Sequence, residues 1–364
     1  MAHASILNDV IGPVMRGPSS SHTAAPFFIG TIARAILGDE TAAVTFAFDP
    51  KGSFSQVYRQ QGSDLGFAAG FCGMQITDHR FALSLAIAAA RGIDIKFIVE
   101  PLSDRDHPNA VEIRMVSTGG RKLTVAARST GGGTVQFTQV DKWPVDLRGD
   151  ACELLVETKP DASARVLESL GTKLRWTGSP DRQSRGDDVL LHMRLDRAPD
   201  PGIIREVQAM SGVTMVWVVP PVFFPLAGEP IFANAAEMTA LAASRSHSLG
   251  RIALSYEAAL LGLPEDVVMN EIIRRLQVMR ASVADGLAEE LPPMQYLSPS
   301  AGRIYRAEAA GKLAIGGIHT RSAARALAVM HIASFQSGEV HLNAPAGPAL
   351  KFRPLPYAIP ADPP

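Results

Sequence analysis

The sequence predicts an α+β protein with three successive parts, and three observations lead to this fold class. Apolar patterns of strand and helix period alternate up to about residue 148. Residues 151–222 then show the succession strand, helix, strand, strand, helix, strand of a ferredoxin-like βαββαβ domain. Residues 233–342 carry almost wholly helical patterns and are predicted to form an all-helical partial domain, followed by a proline-rich tail over residues 343–364.

In the first part, short β-rich runs predict strands, and glycines mark the ends of helices. Strands are predicted over residues 42–48, 93–100, 111–116 and 135–140. Helices are predicted over residues 21–37 and 78–91. Each of these helices is followed by a glycine, Gly38 or Gly92, which can adopt the positive φ that commonly ends a helix.

The second and third parts are predicted element by element from the same periodicities. Strands are expected over residues 153–157, 172–177, 189–195 and 214–219, with helices over 162–170 and 202–210. The charged stretch 179–188 is interpreted as a hairpin loop. The uncharged run 207–228 is interpreted as a helix end, a buried strand and a proline-marked exit. Helices then follow over residues 233–243, 249–261, 265–287 and 319–334.

Composition and charge exclude several classes of protein. The 364 residues are 46% hydrophobic with a formal net charge of −1, which provides no basic patch for nucleic acid or an anionic membrane. The two cysteines, Cys72 and Cys152, are too few for a disulfide framework and favour a reducing compartment. The N-terminus lacks the pattern of a secretory signal, so we expect a cytoplasmic protein.

The strongest candidate site is a polar cluster placed directly before the first predicted helix. It consists of Ser19, Ser20, Ser21, His22 and Thr23. Hydroxyls and backbone N–H groups at a helix N-terminus favour an anion such as a substrate carboxylate. In the alternative interpretation, one serine caps the helix and the others form a polar turn. The histidine favours a functional role, because imidazole donates, accepts or transfers a proton near neutral pH.

Two further segments lie between predicted strands. In His107-Pro108-Asn109, the proline restricts its neighbours and presents two polar side chains in a repeatable geometry, although such a sequence is also typical of a surface turn. In the segment Ser129-Thr130-Gly131-Gly132-Gly133-Thr134, glycines permit close approach of the backbone to a ligand, and a plain loop is the alternative. A pyridoxal-phosphate site would need a Schiff-base lysine, for which the turn residue Lys51 is the nearest candidate.

These segments together resemble the iron-sulfur-dependent L-serine dehydratases. The resemblance rests on residues 17–23, Gly52-Ser53-Phe54, Gly62-Ser63-Asp64, His107-Pro108-Asn109 and residues 129–133, in that order and spacing. It continues through residues 248–287, which are similar to the opening of the family's catalytic α domain, and through 325–340, which resemble the helix before its cluster-binding motif.

The resemblance implies a β domain of the allosteric-substrate-binding type, an ACT-like domain and a helical α domain holding a [4Fe-4S] cluster with three cysteine ligands. It implies conversion of L-serine to pyruvate and ammonia, with the open iron acting as a Lewis acid on the serine hydroxyl. On this sequence it assigns His22 and His107 to proton handling or to fixing the carboxylate. The substrate-binding residues would be Ser19, Ser20, Ser21, Thr23, Asn109, Ser129, Gly131, Gly132 and Gly133.

The chain departs from the family's pattern after the last predicted helix. Asn343 stands where the family has its first cluster cysteine, and an amide does not replace a thiolate on iron. We therefore expect an incomplete cysteine ligand set and a truncated or frame-shifted α domain. Two functions remain open: an L-serine dehydratase completed by a partner chain, or a module that binds serine or a small carboxylate without turnover. Apolar positions such as Leu327 and Ile332 also suggest a homo-oligomer.

Overall fold

The computed structural model of the chain describes residues 4–17, 19–102, 107–287 and 306, and within them the protein is α+β. The first part contains a sheet in the order β2-β1-β3-β4-β5-β6, in which only β1 and β2 run parallel. Its strands are β1 (Thr41–Phe48), β2 (Asp94–Val99), β3 (Ala110–Ser117), β4 (Lys122–Gly131), β5 (Thr134–Val140) and β6 (Trp143–Leu147). Its helices are α1 (Ala25–Leu37), α2 (Ser53–Val57), α3 (Ser63–Phe71) and α4 (Ser84–Ala90).

The main core lies between one face of this sheet and helices α1 and α3. Phe46 of β1 stacks on Phe67 of α3 with ring centroids 4.3 Å apart. Strands β4 and β6 and the short helices α2 and α3 were not predicted from the sequence patterns. The Ser-Thr-Gly end of β4 has the composition of a loop, but pairing with β3 and β5 holds it extended.

The predicted helix over residues 78–91 is shorter in the structure. Residues 78–80 form a turn in which the Asp78 carboxylate accepts hydrogen bonds from the backbone and guanidinium of Arg80. A 3₁₀ turn, Phe81–Leu83, and then α4 follow. Aspartate favours such local hydrogen bonds over continuing a helix, which delays the start of α4.

The second part has the succession of elements that the sequence predicts. Its strands are β7 (Cys152–Thr158), β8 (Trp176–Arg185), β9 (Asp188–Leu195) and β10 (Val213–Val219), in the antiparallel order β10-β7-β9-β8. Helices α5 (Ser163–Gly171) and α6 (Pro201–Gln208) cover one face of this sheet. The other face, including Leu155 and Trp217, joins the main core beside α1. Both faces of β7 are therefore covered, and every residue of β7 is buried.

One prediction in this part was wrong. The predicted strand 172–177 and hairpin loop 179–188 are replaced by β8, which runs to Arg185 and turns directly into β9. The register between the two strands shifts between Thr177 and Asp181. The charged side chains of β8 remain in solvent because the strand lies at the sheet edge, where polar composition is compatible with extended structure.

The third part contains helices α7 (Ala235–Ser244), α8 (Leu249–Leu261) and α9 (Glu265–Leu287). The predicted bounds of α8 and α9 are confirmed. The predicted helix over 319–334 and the tail over 343–364, with Asn343, lie outside the described residues. Across the described ranges, no helix combines the length and the apolar character that crossing a bilayer requires.

Candidate active site

The serine-rich turn, residues 19–24, leads into α1. Residues Ser20–Ala24 form one π-helical turn, and Ser19 caps it. The Ser19 hydroxyl accepts a hydrogen bond from the backbone N–H of His22 at 3.1 Å, and the Ser19 carbonyl accepts one from Thr23 at 2.9 Å. The capping interpretation of the sequence therefore holds for Ser19, whose own backbone N–H donates to the Thr23 hydroxyl at 3.2 Å.

His22 is the centre of a hydroxyl network. Its Nδ1 lies 2.9 Å from the Ser21 hydroxyl, and its Nε2 lies 2.7 Å from the hydroxyl of Ser53 at the start of α2. The residue is only 8% exposed, and the edge of its ring packs against Phe54. Burial lowers the pKa of His22 to about 4, so the imidazole is neutral at pH 7. A neutral ring donates one hydrogen bond and accepts one, which matches two hydroxyl partners.

Helix α3 holds the other side of the turn. The Thr23 hydroxyl donates to the Gln61 carbonyl at 2.6 Å, and the Ser63 hydroxyl donates to the carbonyl of His22 at 2.5 Å. A Cβ on Gly66 would lie 2.5 Å from the Thr23 carbonyl oxygen. The close approach of α3 to the turn therefore requires a glycine at position 66.

Ser53 connects the serine-rich turn to the His107-Pro108-Asn109 segment. Its backbone N–H donates to the Pro108 carbonyl at 2.7 Å, while its hydroxyl contacts His22. Sequence reasoning placed no role on Ser53 or Ser63. The available signal was their presence in Gly52-Ser53-Phe54 and Gly62-Ser63-Asp64, two of the short segments that carry the family resemblance.

His107 is half-buried and lies in an environment different from that of His22. Its Nδ1 accepts a hydrogen bond from the Asn109 backbone at 3.1 Å, which leaves Nε2 to carry the proton of the neutral ring. Burial and the nearby Arg128 guanidinium lower the pKa of His107. The ring lines a cleft with side chains of β3, β4 and β5, including Glu112 and Arg128, and the serine-rich turn does not contribute to the described lining of this cleft.

Asn109 and Ser129 bring two unsatisfied polar atoms to the inner face of the sheet. The Ser129 backbone N–H donates to the Asn109 carbonyl at 3.1 Å, so the residues oppose each other at the ends of β3 and β4. Strand alternation puts both on the side of the core residues Val111 and Ala127, and β4 contacts the serine-rich turn. Within the described chain, buried Asn109 Oδ1 and Ser129 Oγ have no hydrogen-bond partner. Buried polar atoms without partners are costly, so these two atoms are candidates for contact with a bound molecule.

We predict opposite stability changes for two buried serines of this sheet. Ser129→Ala removes an unpartnered hydroxyl and should raise the free energy of unfolding by about 1 kcal/mol. Ser117→Ala is the matched control: its hydroxyl accepts from the Arg121 backbone, so its loss should cost about 1 kcal/mol. Urea denaturation measures both values. A loss of stability in both variants would mean that Ser129 has a partner in the apo protein.

The three glycines form a tight hairpin. Gly131 ends β4, and Gly132 and Gly133, both with positive φ, form the turn into β5. A Cβ on Gly133 would lie 2.8 Å from the sulfur of Met15, so a larger residue at position 133 would require the Met15 side chain to move. The loop interpretation of residues 129–134 was therefore wrong for Ser129, Thr130 and Gly131, which belong to β4, and for Thr134, which begins β5.

The described residues do not fit an iron-sulfur cluster. Cys72 follows α3 and Cys152 begins β7, and both are buried. Burial raises the pKa of each thiol, that of Cys152 to about 11, whereas iron-sulfur clusters bind thiolates. Among the described residues, no group of three or more His, Cys, Asp or Glu side chains is arranged so that it could hold a metal ion. Lys51 lies exposed in the turn after β1.

Comparison with known proteins agrees with these motifs. The chain is 32% identical over 212 residues to the probable L-serine dehydratase, beta chain, of Bacillus subtilis (strain 168), and the alignment covers 94% of that protein and 57% of this chain. The chain belongs to the L-serine dehydratase family. It is also 32% identical over 149 residues to the L-serine dehydratase, beta chain, of Peptoniphilus asaccharolyticus, covering 66% of that protein and 41% of this chain. A comparison with models of known protein families finds no match.

L-serine dehydratases are lyases. Both relatives are named after the family that the short motifs resemble. The longer alignment spans 212 residues, whereas this chain has 364. The chain therefore has a large portion beyond its match to the Bacillus beta chain.

Proposed function

We propose that this chain binds L-serine between the serine-rich turn and the Asn109–Ser129 pair, as the substrate-binding part of an L-serine dehydratase. The observation that carries the proposal is the pair of buried, unpartnered polar atoms beside a turn that contains a neutral histidine. Asn109 Oδ1 is an acceptor for an ammonium group. The Ser129 hydroxyl is a donor for a carboxylate. An amino acid offers both groups a short distance apart.

The serine-rich turn supplies the remaining contacts in this proposal. Ser19 and Ser21, whose hydroxyls lie 3.3 Å apart, would donate to the substrate carboxylate, and Ser20 and Thr23 shape the same turn. His22 would act as a neutral hydrogen-bonding group, because a pKa well below 7 leaves the imidazole unprotonated and makes it a weak base. His107 would act through Asn109, whose backbone it holds. The glycines Gly131, Gly132 and Gly133 would allow the hairpin to approach the ligand.

Elimination to pyruvate and ammonia needs chemistry that the described residues do not provide. In the family that the motifs resemble, a [4Fe-4S] cluster supplies this chemistry. The buried thiols of Cys72 and Cys152 do not fit such a cluster. Both relatives are named as beta chains, which supports a partner chain that completes the enzyme. The βαββαβ domain would be the ACT-like, effector-sensing part.

The poor fit to the cluster also favours a second candidate function. In it, the chain binds L-serine or a similar small carboxylate as a regulatory module without turnover. The two functions share the same pocket but differ in what they require. Binding by a regulatory module needs no iron, whereas lyase activity requires a cluster and releases pyruvate.

Calorimetry on metal-free protein tests the shared pocket. We expect L-serine to bind with saturable heat, and Ser129→Ala to weaken binding about tenfold because one charge-assisted hydrogen bond is lost. Ser117→Ala, which changes a buried serine away from the pocket, should bind like the wild type. Absence of heat with L-serine in the folded wild-type protein would contradict the proposal.

Anaerobic purification separates the two functions. Iron and sulfide analysis, followed by assay of pyruvate from L-serine, should show a cluster and turnover if the chain and its partner form the lyase. Saturable binding of L-serine with neither iron nor pyruvate would favour the regulatory module.

A further inference from the structure

The N-terminal strap, defined as residues 5–17, is held by the helical part of the chain. A buried carboxylate of α8, Glu257, binds the start of the strap. It accepts hydrogen bonds from the Ser5 hydroxyl at 2.6 Å and from the backbone N–H groups of Ile6 at 2.7 Å and Leu7 at 2.9 Å. Glu257 is 0% exposed, so all of this binding takes place away from solvent. An anion at the N-terminus of a helical turn satisfies N–H groups that would otherwise lack acceptors.

A buried cation of α9 binds the other end of the same turn. The Arg275 guanidinium donates to the carbonyl oxygens of Leu7 and Gly12, and Glu271 holds the Arg275 side chain at 2.7 Å. A positive charge at the carbonyl end complements the dipole of the turn, as the carboxylate does at the N–H end. Asn8 adds a reciprocal pair of hydrogen bonds with the backbone of Phe224, at 2.7 and 3.1 Å.

The second half of the strap is anchored on the first part of the chain. Met15 packs against the Gly133 hairpin turn. The Arg16 guanidinium donates to the carbonyls of Ile76 and Asp78 and lies 4.8 Å from the centre of the Phe81 ring. The strap is therefore held at its start by α8 and α9 and further along by the β4–β5 hairpin and the carbonyls of residues 76 and 78.

We propose that Glu257 and Arg275 are positioning residues for the L-serine site: they fix the strap, and the strap fixes the serine-rich turn. The inference rests on the function proposed above. Neither side chain contacts the serine-rich turn, so both act through the strap. It follows that α8 and α9 affect how tightly L-serine binds to a pocket formed by the first part of the chain. Coupling free energies between such separated sites commonly correspond to affinity changes of about 5–150-fold.

Glu257→Gln in the full chain tests this inference. The Glu257 carboxylate accepts three hydrogen bonds, and in glutamine an NH2 group replaces one of its oxygens. This NH2 group faces a donor from which it cannot accept, so the strap should loosen. We expect L-serine to bind about tenfold more weakly. We also expect faster amide hydrogen exchange both in residues 5–12 and in residues 19–24. The matched control is Glu265→Gln, since Glu265 binds only Ser255 and Arg251 within the helical part. It should change neither measurement.

The two measurements separate the possible failures. If the wild-type protein does not bind L-serine, the proposed function fails, while exchange at residues 19–24 still tests the positioning role. Faster exchange confined to residues 5–12, with unchanged L-serine affinity, would overturn the inference and leave Glu257 a purely structural residue. Should Glu257→Gln fail to fold, Ser5→Ala tests the same expectation: it removes the hydrogen bond from the Ser5 hydroxyl to Glu257 and the one that this hydroxyl accepts from the Asn8 backbone N–H.

Discussion

Replacing Gly70 by alanine is expected to lower the free energy of unfolding by about 3 kcal/mol, because α1 and α3 approach each other through glycines. A Cβ on Gly70 would lie 2.6 Å from the backbone nitrogen of Thr31 and would also clash with the Phe27 carbonyl. Gly30, on the facing helix, has the same relation to Phe67, whose carbonyl oxygen would lie 2.6 Å from an added Cβ. Because the atoms encountered are backbone, no side chain can rotate away to make space.

Gly250→Ala provides the matched control for this prediction. Gly250 lies in the first turn of α8, and the atom nearest to an added Cβ is the Ser248 hydroxyl at 4.0 Å. Alanine there relieves the entropic cost of a helical glycine and should be neutral or stabilising by up to about 1 kcal/mol. Thermal or urea denaturation compares the two variants. Equal stability of Gly70→Ala and wild type would show that the helices can separate, contrary to the packing described here.

Acidification is expected to destabilise the protein through His22. Burial lowers its pKa from 6.5 to about 4 in the folded state. In the unfolded chain the imidazole therefore binds a proton at a higher pH than in the folded protein, and stability falls as the pH falls from about 6.5 to about 4. Above pH 6.5, the neutral His22 makes its full contribution to the free energy of unfolding. At pH 4 the free energy of unfolding is lower by about 3 kcal/mol through this residue.

Comparison with His22→Gln isolates this effect from the titration of carboxylates. Glutamine does not titrate, so the dependence of the free energy of unfolding on pH between 4 and 6.5 should be shallower in the variant. His79→Gln is the control, since the His79 side chain is 92% exposed and its replacement should leave the slope unchanged. Parallel pH profiles for wild type and His22→Gln would contradict a buried, neutral His22.

The helical part was the most predictable portion of the fold. Predicted bounds for α8 and α9 agree with the structure, because a sustained helical period, a capping Ser248 and Pro264 near the start of α9 all act within a few residues. The strand β4 was missed for the opposite reason. Its final residues have loop composition, and only hydrogen bonds to β3 and β5 make them a strand.

The polar residues of the candidate site were also found from sequence, as short segments of unusual composition. Which of these residues face one another could not be predicted. Alternation along β3 and β4 turns Asn109 and Ser129 to the inner face of the sheet, whereas His107 lines a cleft with Arg128. Ser53, the first residue of α2, contacts both His22 of the serine-rich turn and Pro108 of the His107-Pro108-Asn109 segment. Helix α2 was not predicted, so this link could not be predicted either.

The sequence by itself therefore determined the α+β class, the succession of elements in the βαββαβ domain, and the polar segments that place the chain among L-serine dehydratases. These features depend on residues close together in the chain, whose periodicity and capping act locally. Only the tertiary structure decided that Glu257 and Arg275 hold the N-terminal strap, about 250 residues away along the chain. Such contacts arise when whole elements pack, and the pattern around either residue carries no information about its distant partner.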